Sequence, residues 1–528
     1  RLIDEQGSLL WNYSGHGGYA GLADEDLLTL EDIELLNNFD KLTTFVTATC
    51  SFGKFDMNRR QSGAEALLLK SDGGAVALMT TVRLVVTSPS TQLYNLGLNL
   101  ELNQHLFTRD EQGLPRRLGD VMRITKNSNR GLQGNNRKFN LLGDPTMRLG
   151  LPRQSVDVTR VGGIDVNART APLQALGRVE IEGEVRGFDG MLDVGYNGVA
   201  ELSVFDAARE VPVEVDGGGR TTLPGNAYDV QNDLIYQGKV RVEAGRFKTS
   251  FVVPKDISYR NRAGRVAVYV QSEERGIDGF GATANVIVGG TSDNPVQDAD
   301  GPDVNLYLND DPGFVSGSLT TPEPTLVVDL NDDTGLNTTG TGVGHEMLLV
   351  INGDQQAAQE IGDRFEGRLD EPNAGTVRVR LSDLEPGPNT VEVKAWDVVN
   401  NSTTATLDFT VAESTDLDVR NVYNYPNPTL GGPTRFFFEH NQPPGTPADV
   451  ELRIYTISGR LIRVIEPTEA LPTGVLPGGP VSFTWDGRDT DLDPVATGAY
   501  LFKIRVAAEI AGGDRSVYEE VGRLAVLR

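Results

Sequence analysis

Two residues near the N-terminus have the chemistry of a nucleophile and its base. His16 stands in "WNYSGHGGYAGLADED", residues 11 to 26, directly after an apolar run and before two glycines. Cys50, the only cysteine of the chain, follows a second apolar run, "LTTFVTAT". A free thiol is only a few per cent thiolate at neutral pH, and an adjacent imidazole supplies both a proton acceptor and a stabilising charge. The two residue types together therefore indicate cysteine-type acyl transfer.

The elements around these residues predict that they meet. Both apolar runs predict strands, and "TLEDIELLNN" between them predicts a helix, which is the alternation of a largely parallel α/β sheet. In such sheets the residues just beyond the carboxyl ends of the strands line the ligand crevice. If the two strands are parallel neighbours, the imidazole of His16 and the thiol of Cys50 face each other.

The glycines after His16 suit the same chemistry. Gly17 and Gly18 allow a sharp turn and bring a bare N–H close to a substrate carbonyl. Together with the N–H of Cys50 this predicts an oxyanion hole, in which each well-placed donor contributes about 3 to 4 kcal/mol of transition-state stabilisation. The alternatives are a cysteine that is only a small buried hydrophobe and a histidine that is merely solvated in a turn.

Further helices and strands are predicted up to about residue 150, after which the pattern changes. "GAEALLLKS" predicts a helix, "GGAVALMTTV" a strand, and "SPSTQLYNLGLNLELNQHLF" a longer helix with Ser88 as its N-cap. After residue 150, short strands separated by Gly, Asn, Asp and Pro are typical of β-sandwiches. We predict an α/β domain over 1–150, a β-sandwich over 151–290, an acidic linker over 291–303, and β-sandwiches over 304–414 and 415–528.

Composition excludes several classes of protein. The chain has 48 Lys and Arg against 74 Asp and Glu, a net charge of −26, which repels phosphate backbones and argues against a nucleic-acid partner. No stretch approaches the roughly 18 apolar residues that a transmembrane segment needs. Nothing near Arg1 has the pattern of a signal peptide, so we expect a processed or partial chain. One cysteine leaves the redox compartment undecided.

The motifs of the first 150 residues resemble those of the gingipain-type cysteine peptidases. These are "YSGHGG", then "TATCSFGKFD" with its cysteine 34 residues after the histidine, then "AEALLL", "GGAVALMTT" and "NLLGDPTMRL". The resemblance implies a caspase-like fold, with Cys50 as nucleophile, His16 as base, and Gly17 as oxyanion donor beside the amide of Cys50. Glu65 matches a helix position for which we expect a structural role.

The acidic residue that orients the histidine in this family precedes the His-Gly turn, where this sequence has only fifteen residues. We therefore expect the third catalytic residue, and the first strands of the peptidase sheet, to be missing from this chain. Asp24 and Glu25 are close to His16 in sequence and are weaker candidates for its orienter. Activity of the chain by itself is left open.

The segments after residue 150 resemble the β-domains of the sortases of the type IX secretion system. They include "YNGVAELSVFD", "GRFKTSFVVPKDISY", "GVGHEMLLVING" and "VEVKAWDVVNNS". The last unit, with "YNYPNP", "LRIYTISGRLIRVI" and "ATGAYLFKI", resembles the FlgD-like, immunoglobulin-type (Ig-like) C-terminal sorting domains of that system. The resemblance implies a protein of the cell surface or outer membrane of a Gram-negative bacterium.

The function implied is a cysteine endopeptidase and transpeptidase. It would remove the C-terminal sorting domains of secreted proteins and join the cargo to an anionic lipopolysaccharide, with the translocon and an outer-membrane anchoring protein as partners. Two alternatives stay open. One is a secreted gingipain-like protease that only hydrolyses, and the other is a non-catalytic surface scaffold.

The remaining polar residues carry weaker predictions. The acidic linker offers hard oxygen ligands, so calcium at Asp298, Asp300 and Asp303 is one prediction, and a solvated linker without metal is the other. No other cofactor is expected. For His105, late in a helix, and His345, at the head of a strand, helix-end electrostatics and packing are the preferred interpretations.

Overall fold

The computed structural model describes residues 3–4, 7–23, 26–85, 95–128, 133–215, 221–338, 344–510 and 513–528. The chain forms two compact units, Arg1–Arg153 and Gln154–Arg528. The first alternates strands and helices, and the second is built almost entirely of strands, so the predicted β-rich, multidomain organisation is confirmed. Among the described residues, no helix is long and apolar enough to span a membrane.

The first unit contains a four-stranded sheet in the order β1-β4-β5-β6. Strands β1, β4 and β5 run parallel, and β6 is antiparallel to β5. The small antiparallel pair β2-β3 lies apart from this sheet. The elements are β1 (Leu10–Ser14), β2 (Gly21–Leu22), β3 (Leu28–Thr29), α1 (Leu30–Leu35), β4 (Thr43–Ala48), α2 (Gly63–Leu69), β5 (Ala75–Thr81), α3 (Asn95–Leu106), α4 (Leu118–Ser128), α5 (Gln133–Asn136) and β6 (Phe139–Leu142).

Helices cover both faces of this sheet. All six residues of β4 are buried, and successive side chains enter different cores: Phe45 packs with α1 and α2, whereas Val46 packs with α3 and α4. A central parallel strand must be apolar on both faces for this reason. The helix predicted from residue 88 is described from Asn95 onward, and its predicted N-cap, Ser88, lies outside the described residues.

The second unit begins with a module whose main sheet has the order β14-β11-β17-β18-β7-β10-β15, with β8 paired to β7. A smaller sheet, β16-β19-β9, and the pair β12-β13 complete it. The strands are β7 (Gln154–Val161), β8 (Ile164–Asp165), β9 (Ala171–Ala175), β10 (Arg178–Arg186), β11 (Gly198–Phe205), β12 (Arg209–Val215), β13 (Thr221–Val230), β14 (Leu234–Val242), β15 (Arg246–Val252), β16 (Arg262–Ala263), β17 (Arg265–Ser272), β18 (Ile277–Thr283) and β19 (Val286–Thr291).

A second module pairs the sheets β20-β22-β27-β26 and β21-β29-β28-β24-β25, with β23 on β28, around one hydrophobic core. The stretch 292–302 before it contains no strand. The strands are β20 (Asp303–Leu308), β21 (Leu319–Thr320), β22 (Thr325–Asn331), β23 (Leu336–Asn337), β24 (Leu348–Ile351), β25 (Gln359–Glu360), β26 (Phe365–Arg368), β27 (Glu371–Arg380), β28 (Gly387–Asp397) and β29 (Ser402–Val411).

A third module packs the sheet β30-β31-β34 against β33-β32-β35-β36 around a core that includes the buried Trp485. Alternate residues of its long strands point into that core, which is the period-two pattern of a sheet with one face buried. The elements are β30 (Val419–Tyr425), β31 (Thr434–His440), β32 (Ala448–Thr456), β33 (Leu461–Ile465), α6 (Pro467–Ala470), β34 (Val481–Trp485), β35 (Gly498–Glu509) and β36 (Arg515–Val526).

Candidate active site

His16 and Cys50 follow two neighbouring parallel strands at the same edge of the sheet. In the register of β1 and β4, Ser14 lies opposite Ala48. His16 is two residues beyond Ser14, and Cys50 is two residues beyond Ala48. The parallel pairing on which the sequence argument depended is therefore present, and both turns leave the sheet at its carboxyl edge.

The main chain of the His-Gly turn is held on several sides. The carbonyl oxygen of His16 accepts hydrogen bonds from the hydroxyl of Tyr13 at 2.6 Å and from the amide of Ala23 at 2.9 Å. The amide of Gly18 donates to the carbonyl of Gly21 at 2.9 Å. The His16 side chain itself is exposed. The turn thus fixes the backbone and presents the imidazole to solvent.

Gly17 cannot be replaced without moving this turn. It lies opposite Leu22 in an antiparallel bridge whose hydrogen bonds are made by the residues on either side, so its own N–H points away from Leu22. A methyl group at Gly17 would lie 2.8 Å from Oγ1 of Thr49 and 3.0 Å from the carbonyl oxygen of Gly21. The close approach of Gly17 to Thr49 brings the His-Gly turn against the residue before Cys50.

The turn that carries Cys50 is tight and partly strained. Ser51 has a φ of +58°, a left-handed conformation that costs a non-glycine residue about 1 to 2 kcal/mol. The amide of Lys54 donates to the carbonyl of Ser51 at 3.0 Å, and the amide of Gly53 donates to the carbonyl of Thr81 at 2.8 Å. Cys50 is half-buried, with Sγ 3.8 Å from the carbonyl oxygen of Val85.

The N-terminus of helix α2 holds both turns. The amide of Gly63 donates to the carbonyl of Tyr19 in the His-Gly turn at 2.7 Å, and the amide of Ala64 donates to the carbonyl of Phe52 in the cysteine turn at 3.2 Å. The helix begins with a capping box, in which the carboxylate of Glu65 accepts from the amide of Ser62 at 2.9 Å and from its hydroxyl at 2.8 Å. Glu65 has the geometry of a structural residue, in line with expectation.

The described residues do not supply a partner for the His16 imidazole. Asp24 and Glu25, the predicted orienters, lie outside the described residues. Within the described part of the chain, no carboxylate forms a hydrogen bond or an ion pair with the His16 ring. The arrangement offers a thiol, an imidazole and two turn amides, those of Gly17 and Cys50, which are the groups that acyl transfer requires.

The acidic residues predicted to bind calcium are not brought together as a set. Among the described residues, Asp298 lies with Asp332 and Asp397, their carboxylate oxygens within 4.8 Å of one another, whereas Asp300 and Asp303 do not belong to this cluster. Sequence reasoning missed Asp332 and Asp397 because they lie far along the chain. Three carboxylates suit a hard cation such as calcium in ligand type.

The carboxylate cluster carries unfavourable charge. Burial, and the neighbouring carboxylate charge, raise the pKa of Asp332 and of Asp397 above the usual range. Asp298 is half-buried, and the hydrogen bond from the backbone amide of Asp300 lowers its pKa. Two buried carboxylates that hold their protons unusually tightly indicate a site at which negative charge is costly.

The other two histidines singled out in the sequence have structural contacts. The imidazole of His345 hydrogen-bonds the carboxylate of Asp256, which also accepts from the side-chain amide of Asn400 at 3.0 Å. These contacts join the first and second β-modules. His105 lies 3.4 Å from the carboxylate of Glu101, one turn earlier on the same helix.

The model of peptidase family C25 matches residues 3–150, which contain the whole His16 and Cys50 arrangement. This part of the chain is therefore similar to the peptidases of family C25. The chain is similar to the crystal structure of dimeric latent PorU from Porphyromonas gingivalis, with 26% identity over 80% of this chain and 39% of that one, at a TM-score of 0.35. The match therefore spans less than two fifths of the PorU chain.

Two further solved structures are more distant. One, described as the structure of a protease, is 14% identical over 54% of this chain and 55% of its own, with a TM-score of 0.24. A tetra-tandem repeat from the extending region of a large adhesion protein is also 14% identical, over 70% of this chain and 74% of its own, with a TM-score of 0.15. No curated protein matches the chain.

Proposed function

We propose that the chain belongs to a cell-surface cysteine endopeptidase with transpeptidase activity, in which Cys50 is the nucleophile and His16 is the base. The observation that carries the proposal is the register of β1 and β4, in which Ser14 lies opposite Ala48. His16 and Cys50 each lie two residues beyond this pair. The family match over residues 3–150 supports the reaction class. The exposure of His16 and the half-burial of Cys50 suit a site open to a polypeptide.

The proposed reaction proceeds through a thioester. The sulfur of Cys50 attacks the scissile carbonyl carbon as the thiol proton passes to His16. The oxyanion accepts hydrogen bonds from the N–H groups of Cys50 and Gly17. Collapse breaks the carbon–nitrogen bond, and His16 protonates the leaving amine. Water or a second amine then attacks the thioester, releasing the thiol together with a carboxylic acid or a new amide.

The first test is labelling of Cys50 by a peptidyl electrophile between pH 5 and 9. In the wild-type protein we expect fast labelling at neutral pH, because an imidazole that accepts the thiol proton raises the thiolate fraction. His16→Ala should slow labelling, and His105→Ala, which removes a histidine from helix α3, should leave it unchanged. Equal rates in all three proteins, following an ordinary thiol titration, would refute the nucleophile and base assignment.

A specific substrate and a specific acceptor are proposed in addition to the reaction class. We propose that the enzyme cleaves C-terminal sorting domains from type IX cargo and transfers the new carboxyl end to an amine on anionic lipopolysaccharide. The sequence resemblance of the β-modules and of the last, FlgD-like module supports this proposal. The resemblance of the first 150 residues to the gingipain-type cysteine peptidases, which implies a caspase-like fold, supports it as well. The translocon and an outer-membrane anchoring protein are the proposed partners.

Transfer and hydrolysis differ in their products. With a peptide substrate and increasing concentrations of an amine acceptor, a transpeptidase gives a growing fraction of amide product at constant total turnover when acylation limits the rate. A purely hydrolytic protease gives only the carboxylic acid at every acceptor concentration. Mass spectrometry of both products decides between them, with Cys50→Ala as the blank.

A further inference from the structure

Thr81, the last residue of β5, contacts the cysteine turn from the neighbouring strand. Its side chain is fully buried, and its hydroxyl donates to the carbonyl oxygen of Thr49, the residue before Cys50. Its own carbonyl accepts the hydrogen bond from Gly53 described above. One residue of β5 therefore holds the chain on both sides of the nucleophile.

The hydroxyl contact controls the direction of one particular N–H group. The carbonyl of Thr49 and the N–H of Cys50 belong to a single planar peptide and, in the trans form, point in opposite directions. A donor on the Thr49 carbonyl therefore fixes where the Cys50 amide points. Without that donor, the buried carbonyl of Thr49 would lack a hydrogen-bond partner. A rotation of the peptide that gives the carbonyl another donor would then lower the free energy of the folded protein.

The preceding residue, Thr80, has a different contact although its side chain is similar. Its Oγ1 accepts a hydrogen bond from the hydroxyl of Thr47 at 2.6 Å, inside the sheet. Side chains of successive strand residues point to opposite faces, so the two hydroxyls of β5 serve different partners. Thr80 and Thr81 are equally buried, which makes Thr80 a matched control.

We propose that Thr81 is a positioning residue, whose hydroxyl holds the peptide between Thr49 and Cys50 so that the Cys50 N–H points to the oxyanion. This inference rests on the proposed function, because it concerns the donor that stabilises the tetrahedral intermediate. Removing an oxyanion donor slows enzymes by about 10²- to 10³-fold, and misdirecting one costs part of that. For Thr81→Val we expect kcat to fall about 10- to 100-fold with little change in KM.

The test compares Thr81→Val, Thr81→Ser and Thr80→Val with the wild type in the full-length protein. Three quantities are measured: kcat and KM for a peptide substrate, the inhibition constant of a peptide aldehyde, and the rate of alkylation by iodoacetamide. The aldehyde forms a tetrahedral adduct that needs the oxyanion donors, whereas iodoacetamide reacts with the thiolate without them. We expect Thr81→Val to lower kcat and to raise the inhibition constant of the aldehyde by similar factors. The rate of alkylation should stay within about two-fold of the wild-type rate.

Thr81→Ser restores the hydroxyl and should return kcat to within about three-fold of the wild type. Equal kcat for Thr81→Val and Thr80→Val, or an alkylation rate that falls as far as kcat, would overturn the inference and leave the proposed function standing. A wild-type protein whose labelling does not depend on His16 would instead overturn the proposed function, and this inference with it.

Discussion

His440, at the end of β31, should make the stability of the third β-module depend on pH. The side chain is 8% exposed and borders a small cleft that is lined by residues of the second and third modules. Neither ring nitrogen makes a hydrogen bond of good geometry with any residue in the described part of the chain. Burial lowers the pKa of His440 to about 4, although backbone groups of Gln442 and Pro477 and the charge of Asp311 oppose the shift.

The sign of the effect follows from proton binding. With a pKa of about 4 in the folded protein and 6.5 as the ordinary value, the unfolded state binds the proton more tightly. Stability contributed by neutral His440 is therefore fully present above pH 6.5 and is lost as the pH falls toward 4. Between pH 7.5 and pH 5 the loss amounts to about 2 kcal/mol.

The assay needs a signal from the third module alone. The chain has three tryptophans, and in a Trp11→Phe/Trp396→Phe background the buried Trp485 reports on that module. Urea unfolding is followed by fluorescence at pH 5, 6 and 7.5 in this background and with His440→Phe added. We expect the parent to lose about 2 kcal/mol more than His440→Phe between pH 7.5 and pH 5. His105→Gln should behave like the parent.

Subtracting the unfolding free energies of His440→Phe from those of the parent at each pH removes the contribution of the other titrating groups, which both proteins share. Parallel curves for the parent and His440→Phe would mean that His440 titrates alike in the folded and unfolded protein. That result would refute the reasoning from burial, even if both proteins were destabilised by acid.

Two further predictions concern the peptidase turn and the carboxylate cluster. Gly17→Ala should lower kcat at least 100-fold, because the methyl group would press on Thr49 and displace the turn that carries the oxyanion donor and His16; normal turnover would contradict this. Since the pKa of Asp332 is raised, its ionisation costs stability as the pH rises above about 4. With EDTA present, Asp332→Asn should raise the urea concentration at the midpoint of unfolding at pH 7. The substitution removes the negative charge beside Asp397, while the remaining side-chain oxygen still accepts a hydrogen bond from the amide of Thr334. A lower midpoint would contradict this prediction.

Much of the fold could be predicted because local patterns carry it. Strand β10 alternates buried Val179, Ile181 and Val185 with more exposed glutamates, and its period of two is visible in the sequence. Helix α4 also left a signal, since Leu118, Val121, Met122 and Thr125 are buried at helical spacing, yet it was not predicted. Strand β6 was not predicted either, because a four-residue strand at a sheet edge has too few positions to establish a period.

The candidate site likewise has features that could be predicted from local sequence patterns and others that depend on tertiary packing. The placement of His16 and Cys50 at one edge of the sheet was predictable, because both follow apolar strands of a parallel sheet and the carboxyl ends of such strands share an edge. The contact from Thr81 was not, because it depends on the order of strands, which places β5 beside β4. The association of Asp298 with Asp332 was likewise inaccessible, since tertiary packing alone brings the two segments together.

The register of β1 and β4 also determines where the peptidase region tolerates insertions and deletions. One residue added between Ser14 and His16, or between Ala48 and Cys50, would rotate and shift one functional side chain while leaving the other in place. Beyond the His-Gly turn, the connection between β1 and β4 does not carry this constraint, and the exposed Leu27, which directly precedes β3, offers a point where the chain can be lengthened. Length variation among related chains should therefore concentrate in the part of that connection beyond the His-Gly turn and be absent from the two turns that follow β1 and β4.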